Sequence, residues 1–404
     1  MDFRGGWSGC LALASLVVCG GCDGGGGGSG AGGGGEGGQG GSTSNLPVPE
    51  VIGEALELTG AGLDLVGEPL MGAGQAGFAV TWVRKISPYI EGQGVVVPAN
   101  GSTPSVYFEA GSYSSPDVIR ASEDGATFGV AWAADGGTYE GDAFWLSTVA
   151  AAGGTASYRL TDSTYLVESL DVAMVGGKWY LVTCLGGDMA GQIRIAKDLT
   201  SADDFKIDPL PLLLLPTAKD SACKQVRVAR SGQELWGVYS AKVGSESAAF
   251  LQRFLPEPAG DPVMVSEPGT RPEDPRLFVH GSDLVVLYRE DDAGEYAVRT
   301  FDAAGQAKGE TAFLAGEGAS ETFDAELVGD HVVIATLGSE GVSVRSFGLD
   351  GAAVTAPLLV GPKAGYMATQ PAIKAIGDVL GIAHYGDADD DGYSRVVLTR
   401  VGGL

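Results

Sequence analysis

The sequence predicts an all-β chain in which one sheet-forming unit recurs around a closed ring, and three observations point there. First, an apolar pentad recurs: FAVTW at Phe78, FGVAW at Phe128, WYLVT at Trp179, LWGVY at Leu235, LVVLY at Leu284, VVIAT at Val332 and LGIAH at Leu380. The steps between successive starts are 50, 51, 56, 49, 48 and 48 residues, which makes seven copies. Second, a glycine stands three residues before the pentad in six copies (Gly125, Gly176, Gly232, Gly281, Gly329 and Gly377), and the first copy has Gly74 one place earlier. Third, helical periodicity is almost absent beyond Pro47. Short runs rich in β-branched and aromatic residues alternate there with Gly/Asp/Ser turns.

Each element of the repeat has its own reason. Glycine ahead of the pentad suits a tight hairpin that needs positive φ, so the residues upstream should form a partner strand. Those upstream runs are DVIRAS, LDVAMV, KQVRVA, PRLFVH, AELVGD and PAIKAI. Downstream come third strands such as YAVRTF and VSVRSF, whose Arg299 and Arg345 are 46 residues apart, each followed by a turn and a fourth strand. The pentads themselves carry small residues at alternate places (Ala79, Gly129, Gly237, Ala335, Ala383), as a strand buried on both faces should.

Four strands in about 50 residues is the period of a β-propeller blade. Closure has a signature too. The chain ends on SRVVLTRVGGL, a third strand with no fourth behind it, while VIGEALELTG at 51–60 is a strand to spare. The expectation is therefore a seven-bladed β-propeller over residues 49–404, built of four-stranded antiparallel blades, the last completed by the N-terminal strand so that no sheet edge stays open. Over that span the chain resembles β-propeller proteins in general. It carries no GH…WD pattern, no double-glycine kelch signature and no repeated calcium cage. SEDGATF (122–128) looks like a sialidase Asp box but lacks one residue and falls in the wrong turn.

The 404 residues include 51 acidic and 25 basic side chains, a net charge of −26. With no Lys/Arg cluster, that balance excludes a nucleic-acid partner, which needs basic patches against phosphate. The first residues, MDFRGGWSGCLALASLVVCGGC, have a positive charge at Arg4 and an apolar run from Cys10 to Val18 that is too short to span a bilayer. They resemble a bacterial lipoprotein signal, which implies removal of residues 1–21 and lipidation of Cys22, behind the small Gly20 and Gly21. Cys19 is the alternative, with Leu16 at the preferred place but the large Val18 before the cut. Residues 22–48 are glycine-rich and read as a flexible tether. Lipid, tether and domain together resemble surface lipoproteins of the myxobacterial type, implying an anchored location in the cell envelope, periplasmic or at the surface.

Candidate chemistry is sparse. In DADDDG (387–392), Asp387, Asp389 and Asp391 alternate ahead of Gly392, which resembles the first half of a calcium-binding loop and implies a structural Ca2+; the reading beside it is a solvated acidic loop. Positions nine and twelve of that loop are Arg395 and Leu398 instead of acids. Cys184 and Cys223 fall on the same face of adjacent blades, so an exported chain can join them in a disulfide. His280, His331 and His384 have no metal or triad partner at motif spacing and read as structural. G-x-S-x-G, Walker and H-E-x-x-H motifs are absent. Two stretches, 84–104 and 197–222, read as long loops opening with 387–392 on one face; the second contains PLPLLLLP, an outer strand or an apolar partner patch. The leading functional expectation is a non-catalytic binding or scaffold module for a protein or polysaccharide partner. A polysaccharide-acting hydrolase or lyase with an acidic channel mouth, and a purely structural envelope component, are the rivals.

Overall fold

Each apolar pentad becomes the second strand of an antiparallel meander in the computed structural model. The structure describes residues 46–404 apart from 61–62, 64, 87–88, 105, 113–116, 136–141, 151–154, 163–166, 186–192, 200–221, 244–245, 257–258, 268, 292, 339, 362–369 and 388–393. The sheets span 65–112, 118–162, 167–199, 222–264, 272–318, 323–360 and 372–402. Six have four or more strands. The third has three among the described residues, Val167–Val175, Lys178–Leu185 and Ile193–Leu199, and its chain then runs into 200–221. The expectation of seven four-stranded blades is corrected to that extent.

The glycine punctuation explains the hairpins. Gly125, Gly176, Gly232, Gly281, Gly329 and Gly377 all have φ between 57° and 65°, a left-handed turn conformation that costs glycine little. In front of each hairpin lies the innermost strand of its sheet. These strands are Leu65–Gly74, Val118–Ala121, Val167–Val175, Ala222–Ser231, Pro272–His280, Phe323–Val328 and Ala372–Ile376. Each contacts the next, and the last contacts the first, so the inner strands close a ring.

The core lies between sheets. Apolar clusters fill each interface in turn, from the first and second sheets (Ala79, Phe128, Val130) round to the seventh and first (Phe78, Tyr385, Leu398). The alternating small residues make this packing possible. A Cβ on Gly129 would lie 2.8 Å from the Trp179 ring of the next sheet, and one on Gly381 would lie 2.8 Å from Phe78. An aromatic that opens one pentad thus rests on the glycine in second place of the pentad before it.

Closure follows the expected route in two short pieces. Glu50–Val51 and Leu56–Glu57 both pair antiparallel with Arg395–Gly402. Between the third and fourth sheets, Cys184 and Cys223 are joined in a disulfide with Cα atoms 5.7 Å apart. One expectation fails. Residues 84–86 and 89–97 are not loop, because Gly77–Ile86 and Tyr89–Val97 pair in register from Phe78↔Val97 to Ile86↔Tyr89. Cross-strand Arg84 and Glu91, 2.5 Å apart, let polar residues extend this hairpin past the apolar core.

Gly381→Val should crowd the Phe78 ring at the closing interface and cost about 1–3 kcal/mol, as overpacking does. A lowered urea midpoint with an unchanged slope is the expected reading, and an unchanged midpoint would show that Phe78 has room to move.

Candidate functional site

The ring leaves a cavity of about 350 Å3 on its axis, lined by residues of the inner strands. Its walls are charged, and the placement is systematic. Five of the seven repeats put an ionised side chain eight residues before the pentad: Arg120, Asp171, Arg227, Arg276 and Asp324. Sequence reading passed over this register because other charged residues, such as Lys224, Arg230, Glu273 and Glu326, stand in the same strands. The signal that would have found it was alignment on the pentads.

The two carboxylates act as inter-sheet buckles with the same kinds of partner. Asp171, fully buried, takes Arg120 Nη2 of the preceding sheet on Oδ2 at 2.8 Å, and the same oxygen accepts from Val228 N of the following sheet at 3.0 Å. Asp324 takes Arg276 Nε of the preceding sheet on Oδ1 at 3.2 Å and accepts from Ile373 N of the following sheet at 3.0 Å. Burial alone would raise the Asp324 carboxyl; Lys374, Arg276 and the N–H groups of Ile373 and Ala325 outweigh it and hold it below its ordinary value. That stabilisation is present above the unfolded pKa and is lost as pH falls through the depressed folded value.

Most remaining charges are also paired. Lys374 Nζ lies 2.6 Å from Glu326. Asp274, with φ 50°, is gripped by Gln225, whose Nε2 donates to Oδ1 at 2.6 Å and whose Oε1 accepts from Asp274 N at 2.8 Å. Asp117 Oδ2 accepts from Ala133 N. Two groups are left over. Arg227 donates to the Val226 carbonyl at 2.8 Å and to Ser169 Oγ at 3.4 Å, and among the described residues no carboxylate lies within 4.0 Å of it. Burial, helped by the Arg276 and Arg120 guanidiniums, pulls Arg227 down to about 10, so it remains a cation at neutral pH. Glu68, open to the cavity, makes no hydrogen bond or ion pair among the described residues. Desolvation by the wall pushes its carboxyl up, against the pull of Arg276 and Arg227 and with the push of Asp324 and Asp274.

The residues singled out from sequence lie elsewhere. Asp387 is described and sits 4.0 Å from Arg395, whose Nε is 3.6 Å from Glu57. Asp389, Asp391, the lipidation candidates Cys22 and Cys19, and PLPLLLLP fall outside the described residues. Among the described residues no group of three His, Cys, Asp or Glu is placed to hold a metal ion. His280 Nε2 lies 2.7 Å from Asp330 Oδ1 at the hairpins of neighbouring sheets, His331 is half-buried, and His384 is fully buried.

No protein-family model and no curated protein sequence matches the chain. Solved structures do. The chain is similar to the polysaccharide lyase Uly1, with 11% identity and a TM-score of 0.53 over 82% of this chain and 89% of that one. It is similar to the β-propeller domain of the trilobed protease from Pyrococcus furiosus, with 10% identity and a TM-score of 0.50 over 85% and 94%. The fold is a β-propeller. The chain also spans about half the length of a prolyl endopeptidase it matches at 13% identity and a TM-score of 0.48, covering 85% of this chain and 50% of that one. Identities this low establish the shared propeller scaffold and leave its chemistry to the axial residues of this chain.

Asp171→Ala should strand the Arg120 guanidinium and the Val228 N–H inside the propeller, at a cost of about 3 kcal/mol. Denaturant unfolding should show that loss, and the apolar replacement Arg120→Met with Asp171→Leu should recover most of it.

Proposed function

We propose that the protein is an exported, lipid-anchored propeller of seven blades that binds the carboxylate of a small or oligomeric acid, such as a uronate-bearing saccharide, in its axial cavity. The observation that carries the reading is Arg227. Every other cation lining the cavity has a carboxylate beside it, and this one is held by a backbone carbonyl and Ser169 instead. A guanidinium is a planar fork that matches a carboxylate two bonds at a time, and in a partly desolvated wall such bonds are strong. The scaffold supports the reading, since inner-strand side chains are fixed by packing on both sides. The Cys22 signal and glycine-rich tether would hold the domain where envelope polymers are within reach.

A second reading has its own observation. Glu68 faces the same cavity with its carboxyl raised, which suits a proton-transferring group beside a bound anion. The matched solved structures include a polysaccharide lyase, so the scaffold is compatible with hydrolase or lyase chemistry at this place, and Glu68 is the residue to follow.

Calorimetric titration with glucuronate and with trigalacturonate tests the leading reading. Binding to the wild-type chain and its loss by about tenfold or more in Arg227→Met are expected, as for a charge-assisted bidentate contact. No heat with either acid, or equal affinity in Arg227→Met, would reject it. The pH dependence has a definite sign. Protonated Glu68 leaves Arg227 uncompensated, so anion affinity should be highest where the ligand carboxyl is still ionised and Glu68 is protonated, and should fall as pH rises through the raised Glu68 value, above the ordinary 4.5. Glu68→Gln should hold the high affinity and flatten that profile.

A further inference from the structure

Away from the axis, the first sheet carries a second cavity of about 220 Å3, lined by Trp82, Gln93, Gly94, Tyr107, Phe108 and Glu109. Strand register builds it. Trp82 pairs with Gln93 and Gln93 with Glu109, so the three stand in a row across neighbouring strands, and Tyr107, two residues from Glu109, shares that face. The second sheet shows what the repeat does when the same place is closed. There the equivalent Trp132 pairs with Trp145, and the two rings stack with centroids 6.0 Å apart and planes 1° from parallel. In the first sheet the stacking partner is replaced by the polar Gln93, and space opens beside the indole.

What surrounds that space is chemically specific. Tyr107 is 65% exposed, the most exposed large apolar side chain among the described residues. Phe108 pairs with Gly94, one register step away, and its ring packs into the core on the opposite face with Ile119 and Phe128, so the aromatic surface here is that of Trp82 and Tyr107. The Trp82 indole N–H is buried without an acceptor among the described residues. Gln93 and the exposed Glu109 add an amide and a carboxylate. Aromatic faces beside planar polar groups match a pyranose ring, which presents C–H groups on its faces and hydroxyls round its edge. The negative charge of Glu109 disfavours an acidic sugar here.

We propose that this cavity is a saccharide subsite that takes one neutral hexopyranose ring, packed on Tyr107 with its hydroxyls toward Gln93 and Glu109. It is independent of the axial site in residues and in charge preference.

The test uses the full chain with cellotriose, maltotriose and mannotriose as probes, read by saturation-transfer NMR and intrinsic tryptophan fluorescence. At least one probe should receive saturation and shift the emission. Tyr107→Ala should weaken that probe by about tenfold, the upper range for a lost aromatic contact, while Tyr107→Phe keeps it. Because Tyr107 is exposed, the melting temperature of Tyr107→Ala should match the wild type, which separates lost binding from lost folding. Arg227→Met should leave the neutral-sugar signal unchanged. No transfer to any of the three sugars, or transfer unaltered in Tyr107→Ala, would overturn the proposal.

Discussion

A carboxylate with no solvent exposure, Asp171, ties three consecutive sheets together through one side chain. Apolar burial drives the sheets face to face, yet it is non-directional and would accept a range of slips and tilts. Asp171 removes that freedom. It is satisfied only when an arginine arrives from the sheet before and a backbone N–H from the sheet after. Asp324 repeats the device on the other side of the ring. Buried ion pairs add little net stability against apolar alternatives, so their role here is best understood as fixing register, with the apolar interfaces supplying most of the driving force.

The axial site is a by-product of the same arrangement. Inner strands must converge, and the side chains they turn to the axis are too crowded to be solvated freely and too polar to form a dry core. Pairing neutralises nearly all of them in place. Arg227 and Glu68 are what the pairing leaves, one of each sign, so the cavity is close to neutral yet locally polar. The flank cavity has a different origin. It arises where one repeat departs from its neighbour, with Gln93 standing where Trp145 stands in the next sheet.

Much of the architecture was legible because it rests on short-range rules. The pentads announce strands buried on both faces, and the glycines before them mark hairpins that only a left-handed residue forms cheaply. The spare segment at 51–60 foretold where the last sheet finds its outer partner. The 84–104 stretch was misread because Pro88, Gly92 and Gly94 look like loop residues, while the cross-strand support of Arg84 and Glu91 is invisible in composition. The buckles were missed for a related reason. An Arg or Asp on an inner strand acquires meaning only when its partner on the neighbouring sheet is known. Gln93 and Tyr107 were silent too, since the sequence does not show which cross-strand partner fails to fill its space.

The two-residue pairings that close the last sheet have a mechanical side. The Pro47 carbonyl accepts from Ala356 N at 2.9 Å, and just beyond it Glu50–Val51 pairs with the last strand, with Ile52 N bonded to Arg400 O at 2.8 Å. Any pull transmitted along residues before Pro47 therefore loads that bond and then the outer strand of the last sheet before it reaches the inner ring. That strand can peel while the interfaces held by Asp171 and Asp324 stay intact. The domain thus has a yielding point on its outer edge, and tension on the upstream chain can relax there without disturbing the axial residues.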